Sequence, residues 1–111
     1  MELTWTEFEK VEMRVGTILK VIDFPEARKP AYQLTIDFGS EIGMLKSSAQ
    51  ITKRYTKEML SGRQIVAVIN FPKKQIGKFM SECLVLGAVN DEGEVILLAP
   101  DSKIENGLRI S

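Results

Sequence analysis

The 111-residue chain contains no histidine and only one cysteine, Cys83. Without histidine it lacks the side chain that most often serves as a general base and as a metal ligand. It also has no Cys-x-x-Cys pair, no phosphate-binding P-loop and no dinucleotide-binding fingerprint. These absences argue against metal-dependent, redox and nucleotide-dependent catalysis, so the sequence predicts a protein that is not an enzyme and that holds no metal and no cofactor.

Long apolar runs are missing as well. No stretch approaches the roughly 18 consecutive apolar residues of a membrane-spanning helix, and the first residues lack the basic-then-apolar order of a signal peptide. We therefore expect no membrane insertion, and a lone cysteine is consistent with a reducing, cytoplasmic location. Hydrophobic residues still make up 44% of the chain, which is enough for the core of a single domain over residues 1–111.

Charge is distributed unevenly, although 15 basic and 15 acidic residues give a formal net charge of zero. Residues 42–81 hold eight basic side chains and one acidic side chain, which leaves this window at +7 and the rest of the chain at −7. The basic residues of the window are Lys46, Lys53, Arg54, Lys57, Arg63, Lys73, Lys74 and Lys78. A local field attracts a polyanion even when the net charge is zero, so nucleic-acid binding stays open.

Hydrophobic periodicity predicts mostly β-strands. Apolar and polar residues alternate along the first two candidate strands, whereas continuous apolar runs indicate strands buried on both faces. The predicted strands cover residues 13–21, 32–38, 44–49, 65–69, 84–88, 95–99 and, in the tail, 104–110. In the first strand the odd-numbered positions share one face, and Gly16 suggests a bulge or a tight coil.

Two short helices are predicted beside these strands. Thr4 and Glu7 have the spacing of a capping box, so a helix begins after Thr4, and its apolar residues either cover one end of the core or contact a second copy. A second helix is expected within residues 52–60, and residues 71–78 are expected to form a polar loop. Five strands with a helix between the third and the fourth describe the five-stranded Greek-key barrel of the OB-fold. Periodicity alone also fits an SH3-like barrel or another small β-barrel.

The basic segment 70–81 has a composition that suits RNA. Lysines contact phosphates as point charges, phenylalanines offer stacking faces to unpaired bases, and asparagine and serine bind base edges or hold the loop. The candidate RNA-binding residues are Lys46, Ser47, Ser48, Lys53, Arg54, Asn70, Phe71, Lys73, Lys74, Lys78 and Ser81. Arg28 and Lys29 carry a weaker signal. The alternative is a solvated lysine-rich loop in which Phe71 fills a gap in the core.

Binding of an unfolded polypeptide is the competing hypothesis. Methionine and phenylalanine side chains suit a surface that accepts varied apolar partners, although most methionines of a small domain simply pack in its core. The candidate peptide-binding residues are Phe24, Met44, Phe71, Phe79 and Met80. No nucleotide motif is present, so such a function would not depend on ATP.

Several segments, in the same order along nearly the whole chain, resemble the tRNA-binding domain family, which includes the C-terminal domain of many bacterial methionyl-tRNA synthetases. These segments are residues 15–18, 24–27, 32–39, 62–72 and 81–88. Residues 24–31 and 46–52 are in addition similar to a branch of free-standing, secretion-related chaperones within that family.

The resemblance implies an OB-fold homodimer whose terminal segments and outer barrel surface form the interface. It also implies two ligands. In the wider family, the surface around the positions of Asn70 and Ser81 and the adjacent basic loop contact tRNA, largely through its shape. In the chaperone branch, apolar pockets on the dimer accept unfolded polypeptides or preproteins.

Overall fold

The structure, a computed structural model of the protein, describes all residues from 1 to 111. Nine strands and two short helices follow one another along the chain. The elements are α1 (Trp5–Glu9), β1 (Met13–Asp23), β2 (Tyr32–Asp37), β3 (Met44–Ala49), α2 (Lys57–Leu60), β4 (Gln64–Val68), β5 (Lys74–Ile76), β6 (Phe79–Ser81), β7 (Leu84–Val85), β8 (Gly87–Val89) and β9 (Val95–Leu97). None of the helices is long and apolar enough to cross a membrane.

Five strands form one antiparallel sheet in the order β3-β2-β1-β4-β7, which curls into a nearly closed barrel. The long strand β1 lies in the middle and pairs with β2 along one half and with β4 along the other. Helix α2 connects β3 to β4, as the sequence predicted. The prediction of an OB-like barrel is confirmed, and the two remaining strand pairs, β5–β6 and β8–β9, are hairpins attached to it.

The barrel core follows from the alternation in β2 and the apolar run in β4. Leu34 and Ile36 of β2 and Ile65 of β4 are completely buried in one cluster. In β4 the next residue, Val66, is also buried although its side chain points to the other face of the sheet. The prediction that residues 65–69 form a strand covered on both faces is confirmed for this strand.

The predicted side-chain alternation of β1 is wrong beyond its middle. Ile18 is completely buried whereas Leu19 is 45% exposed, because the pairing with β2 shifts register between Ile18 and Lys20. The bulge therefore lies at Leu19 and not at Gly16. Gly16 instead allows close packing: a Cβ at this position would lie 2.7 Å from Ile36 Cγ2.

The second helix is shorter than predicted. Only Lys57–Leu60 is helical, and Thr56 caps it by accepting a hydrogen bond from the backbone of Met59. The preceding residues form turns because Tyr55 packs in the core and its carbonyl oxygen accepts a hydrogen bond from the Tyr32 hydroxyl.

The predicted single strand over 84–88 is divided at Leu86. There the chain passes from the barrel to the β8–β9 hairpin, since the Leu86 amide donates to Val66 while its carbonyl accepts from Leu98. The tail at 104–110 is reduced to one bridge between Arg109 and Arg14 in β1. The predicted polar loop at 71–78 contains β5, which forms a hairpin with β6.

Candidate nucleic-acid interface

The β5–β6 hairpin carries much of the basic segment outward from the barrel. Lys74 pairs with Ser81 and Ile76 with Phe79, and Gly77 takes a positive φ of 61° in the turn. That conformation is favourable for glycine, which explains a tight turn at this position. Lys73, Lys74 and Lys78 are exposed along the hairpin, so the segment presents its charge on a defined, folded projection.

Side chains close the barrel where β3 meets the segment that follows β6. The Lys46 amide donates to a Glu82 carboxylate oxygen at 3.0 Å, and the Ser48 amide donates to Ser81 Oγ at 3.1 Å. The Ser47 hydroxyl donates to the Cys83 carbonyl oxygen at 2.8 Å, and Ser47 is only 1% exposed. Because Ser47 is buried, we assign this predicted RNA contact to the closure of the barrel.

Both polar atoms of the Asn70 side chain form hydrogen bonds with backbone groups. Its Oδ1 accepts from the Glu12 amide at 3.0 Å, and its Nδ2 donates to the Lys10 carbonyl at 2.6 Å. The side chain therefore fastens the segment after α1 to the end of β4. Both polar atoms of the exposed side chain therefore make structural hydrogen bonds.

The aromatic residues of the predicted site differ in their availability. The Phe24 and Phe79 rings pack with their centroids 5.3 Å apart, and Lys46 Nζ lies 5.5 Å from the Phe79 centroid. Phe24 is only 4% exposed, so we assign it to packing and not to peptide contact. Phe71 is 55% exposed and is the available ring beside the lysines.

Five of the eight cations in the basic window already have a carboxylate or aromatic partner, Lys46 among them. Ion pairs join Arg54 to Glu94 at 3.7 Å, Lys57 to Asp23 at 3.0 Å and Lys73 to Glu82 at 3.3 Å. The Arg63 guanidinium lies over the Tyr55 ring, 5.1 Å from its centroid. The window residues that form no ion pair with a carboxylate and no contact with an aromatic ring are Lys53, Lys74 and Lys78.

A polar cleft of about 760 Å³ lies between the β5–β6 hairpin and the loop at residues 24–31, which we call the β1–β2 loop. Its polar and charged lining residues include Arg28, Lys29, Ser48, Gln50, Lys74 and Gln75. Arg28 and Lys29 carried only a weak signal in the sequence, because nothing in their local pattern shows that this loop lies opposite the hairpin.

A second concavity, of about 630 Å³, shares Lys74 and Gln75 with the polar cleft. Phe71, Pro72 and Leu84 contribute apolar surface to it, and we call it the apolar groove. Cys83 also lines it, and burial raises the pKa of this thiol to about 12, so it stays protonated near neutral pH. Of the predicted peptide-binding residues only Phe71 lines this groove, whereas Met44, Phe79 and Met80 do not.

Comparison with known proteins places this geometry in a family. A sequence profile described as "Putative tRNA binding domain" matches residues 13–109. The crystal structure of chaperone CsaA from Bacillus anthracis has a TM-score of 0.93 and is 50% identical, with all of both chains covered. CsaA from Picrophilus torridus has a TM-score of 0.92 and is 52% identical over 99% of this chain and all of the other.

Curated relatives show the same relationship within larger proteins. Methionine–tRNA ligase of Nitrosomonas eutropha is 38% identical over 104 residues, which are 94% of this chain but only 14% of the ligase. The chain thus spans about a seventh of the ligases it matches. The profile match and these identities confirm the resemblance that the sequence segments indicated. The chain belongs to the tRNA-binding domain family, with chaperones of the CsaA type among its structural neighbours.

Proposed function

We propose that this protein is a cytoplasmic, non-enzymatic tRNA-binding homodimer that uses the β5–β6 hairpin and the adjacent end of the barrel. The observation that carries the tRNA proposal is the pair of exposed lysines, Lys74 and Lys78, that lack any carboxylate partner on a hairpin next to an exposed aromatic ring, Phe71. Unpaired lysines bind phosphates with release of counterions, and an exposed ring stacks on an unpaired base.

Recognition at this surface depends on phosphates and shape more than on base sequence. The amide of Asn70 and the hydroxyl of Ser47 are occupied by backbone partners, and Ser81 Oγ already accepts a hydrogen bond from Ser48. Few directional groups are therefore left to distinguish one base from another. We expect comparable affinity for different tRNAs.

The test is a titration with mixed tRNA at about 50 and about 200 mM salt, because each phosphate contact makes binding weaker as salt rises. Wild-type protein should bind at the lower concentration and lose affinity steeply at the higher one. A K74A/K78A variant should bind more weakly and respond less to salt. The matched control is K20A/K103A, which removes the same charge from exposed positions outside the hairpin and outside the polar cleft. Absence of binding at low salt, or equal loss in both variants, would contradict the proposal.

ATP-independent holding of unfolded polypeptides is a second candidate function. It is favoured by the apolar groove with Phe71 and Leu84, which are 55% and 48% exposed, and by the likeness to two CsaA chaperones over essentially the whole chain. In this alternative the protein serves exported or unfolded chains and has little or no affinity for tRNA.

Light scattering of a thermally unfolding client protein tests this alternative. Stoichiometric amounts of wild-type protein should suppress aggregation without ATP, and an F71S/L84S variant should suppress it less, because apolar area in the groove is lost. The control is L19S/I22S, which removes exposed apolar side chains from β1, away from the groove. If the wild type suppresses nothing while tRNA still binds, the chaperone function is excluded.

Homodimer formation is proposed from the terminal segments. Helix α1 buries none of its residues, and Leu3, Trp5 and Leu108 are 69%, 82% and 40% exposed. Arg14 Nε is buried without a hydrogen-bond partner within the chain. Apolar area of this kind favours association, and a second copy would cover it.

Size-exclusion chromatography with light scattering at micromolar concentration measures the oligomeric state. Wild-type protein should have the mass of two chains, and Trp5→Asp should shift it toward the mass of one. A wild-type monomer would rule out the homodimer and leave the tRNA proposal for the single hairpin unaffected.

A further inference from the structure

The C-terminal tail, residues 104–110, is held on the barrel by two polar side chains. The Gln64 amide group at the start of β4 forms two hydrogen bonds with the backbone of Ile104, since it donates to the carbonyl oxygen at 2.6 Å and accepts from the amide at 3.0 Å. Gln64 Nε2 also donates to Asn106 Oδ1 at 3.0 Å, and the Thr17 hydroxyl of β1 donates to the same oxygen at 2.8 Å. Docking of the tail therefore depends on polar contacts that converge on Asn106.

The residue after Asn106 has to be glycine for the tail to dock. The Gly107 amide donates to the Val15 carbonyl oxygen at 2.7 Å, and Gly107 has a positive φ of 93°. A Cβ at this position would lie 2.5 Å from the Phe38 carbonyl oxygen, which is closer than the backbone allows. Glycine avoids both the strain and the clash. The fold thus places an Asn-Gly pair in the tail.

Asn-Gly is a dipeptide in which the asparagine side chain is open to attack by its own backbone. The nucleophile is the nitrogen of the following residue, and a side chain on that residue hinders the approach to Asn Cγ, whereas glycine has none. The chain has two other asparagines, Asn70 and Asn90, which precede Phe71 and Asp91. Asn106 also lines a surface concavity of about 490 Å³, so water reaches it. It is therefore the asparagine of this chain that is best suited to deamidation.

Docking of the tail holds back both reacting groups. Hydroxide must remove the proton of the Gly107 nitrogen before the attack, but in the docked tail this proton lies in the hydrogen bond to Val15. The oxygen on Asn106 Cγ is fixed by Thr17 and Gln64, so the side chain is not free to turn. Both restraints are released when the tail opens, and the same opening exposes the Gly107 amide to hydrogen exchange.

We propose that Asn106 is a site of spontaneous deamidation and that docking of the tail on β1 and β4 controls its rate. In the open tail the Gly107 nitrogen loses its proton to hydroxide and attacks Asn106 Cγ. The N–Cγ bond forms, the Cγ–Nδ2 bond breaks, and ammonia leaves with a proton taken from water. The product is a cyclic succinimide, and no group is oxidised or reduced.

Water then opens the succinimide in one of two ways. Cleavage of the new N–Cγ bond gives aspartate, which keeps the main chain unchanged and still offers Thr17 and Gln64 an acceptor oxygen. Cleavage of the original peptide bond gives isoaspartate, whose main chain runs through Cβ and Cγ and is therefore longer. The longer chain cannot keep Gly107 in place against both Val15 and Phe38, so the isoaspartate tail stays open. This inference is independent of the proposed function.

The test follows deamidation and amide exchange in the same protein. Wild-type protein, Thr17→Val and Gln64→Ala are incubated in mildly alkaline buffer, and the peptides that contain residue 106 are quantified over time by mass spectrometry. Aspartate and isoaspartate peptides have the same mass and separate by chromatography. Thr35→Val is the matched control, since Thr35 lies in β2 and its side chain makes no hydrogen bond. Protein unfolded in denaturant gives the unprotected rate, and thermal unfolding curves establish that each variant is folded.

Thr17→Val removes one hydrogen bond from the docked tail, so the deamidation rate at Asn106 should rise by about 2–12-fold, and Gln64→Ala should raise it further. Exchange of the Gly107 amide should accelerate by the same factors, and Thr35→Val should match the wild type. The isoaspartate fraction should show fast exchange at Ile110, whose amide in the docked tail donates to the Met13 carbonyl oxygen.

Three results would overturn the inference. The first is deamidation of the folded wild type as fast as that of the unfolded protein. The second is no modification at residue 106 in either variant, and the third is faster Gly107 exchange without faster deamidation. If Gln64→Ala does not fold, Thr17→Val against Thr35→Val decides the outcome. A protected Ile110 amide in the isoaspartate fraction would overturn the predicted effect on docking.

Discussion

Ser47 provides a sharp test of the division between structural and RNA-binding residues. Its hydroxyl donates to the Cys83 carbonyl oxygen at 2.8 Å, the only donor that this oxygen has, and Ser47 is 1% exposed. Ser47→Ala leaves that carbonyl without a partner at the closure of the barrel. Leaving a buried acceptor unsatisfied costs about 1–3 kcal/mol. For a domain of this size the melting temperature should fall by about 4–12 °C.

The same substitution should leave RNA binding unchanged below the melting transition, because the hydroxyl does not reach the surface. Lys74→Ala should give the opposite result. Lys74 is exposed and forms no ion pair, so its loss should change the free energy of unfolding by less than about 0.5 kcal/mol. It should lower the slope of log affinity against log salt by about 0.7 for a single strand.

Thermal unfolding followed by circular dichroism, combined with RNA titration at two salt concentrations, measures both effects. Ser40→Ala is the matched control, since Ser40 is exposed in a turn and its hydroxyl makes no hydrogen bond. A Ser47→Ala variant that melts like wild type but binds RNA more weakly would refute this reasoning. Its hydroxyl would then be a ligand contact, as the sequence alone suggested.

Four further substitutions or measurements address the fold. Gly16→Ala should lower the free energy of unfolding by about 1–3 kcal/mol in denaturant titration, because its Cβ would lie 2.7 Å from Ile36 Cγ2 in the core. A Gly16→Ala variant of wild-type stability would show that β1 can move away from β2. Asn70→Ala should accelerate amide hydrogen exchange at Glu12, whose amide loses its acceptor, and a protected Glu12 amide would contradict the contact. Cys83 should react very slowly with thiol reagents at pH 8, where a pKa of about 12 leaves about one thiol in 10,000 ionised; stoichiometric labelling within seconds would show an accessible thiol. Stability should also decline as pH rises from about 9 toward 12, because the unfolded thiol, with its ordinary pKa of 9.0, loses its proton before the folded one does; a melting temperature that Cys83→Ser leaves equally pH-dependent would contradict this.

Local patterns in the sequence predicted the elements whose stabilising contacts are local or repetitive. The alternation around Leu34 and Ile36 places β2 correctly, and the spacing of Thr4 and Glu7 gives a capping box that the structure contains. The bulge at Leu19 was not predictable in this way, because it depends on the register with β2 across the sheet. The short length of helix α2 also depends on a distant contact. The carbonyl oxygen of Tyr55, just before the helix, accepts a hydrogen bond from Tyr32 in β2, which lies far away in the sequence.

Prediction of the candidate site from the sequence was limited in the same way, by contacts between residues that are distant in the chain. The charge window identified the hairpin lysines, whose proposed contact with phosphates needs only exposure. It could not distinguish a serine or asparagine that faces a ligand from one whose side chain forms a hydrogen bond with a backbone group, as those of Ser47 and Asn70 do. The charge window also excluded Arg28 and Lys29, because only the tertiary structure shows that they lie opposite the hairpin.

The distribution of free positive charge in the fold differs from the distribution of basic residues along the chain. A window of +7 along the chain would be a uniform electrostatic patch only if its cations were free, but Arg54, Lys57 and Lys73 are paired with carboxylates. Unpaired cations from different parts of the chain converge instead at the cleft, where Lys29 faces Lys74. Holding like charges near one another is unfavourable unless an anion neutralises them. We therefore propose that the binding surface includes cations outside the window, so a substitution at Lys29 is a stronger test of RNA binding than one at Lys57, which lies inside it and is paired with Asp23.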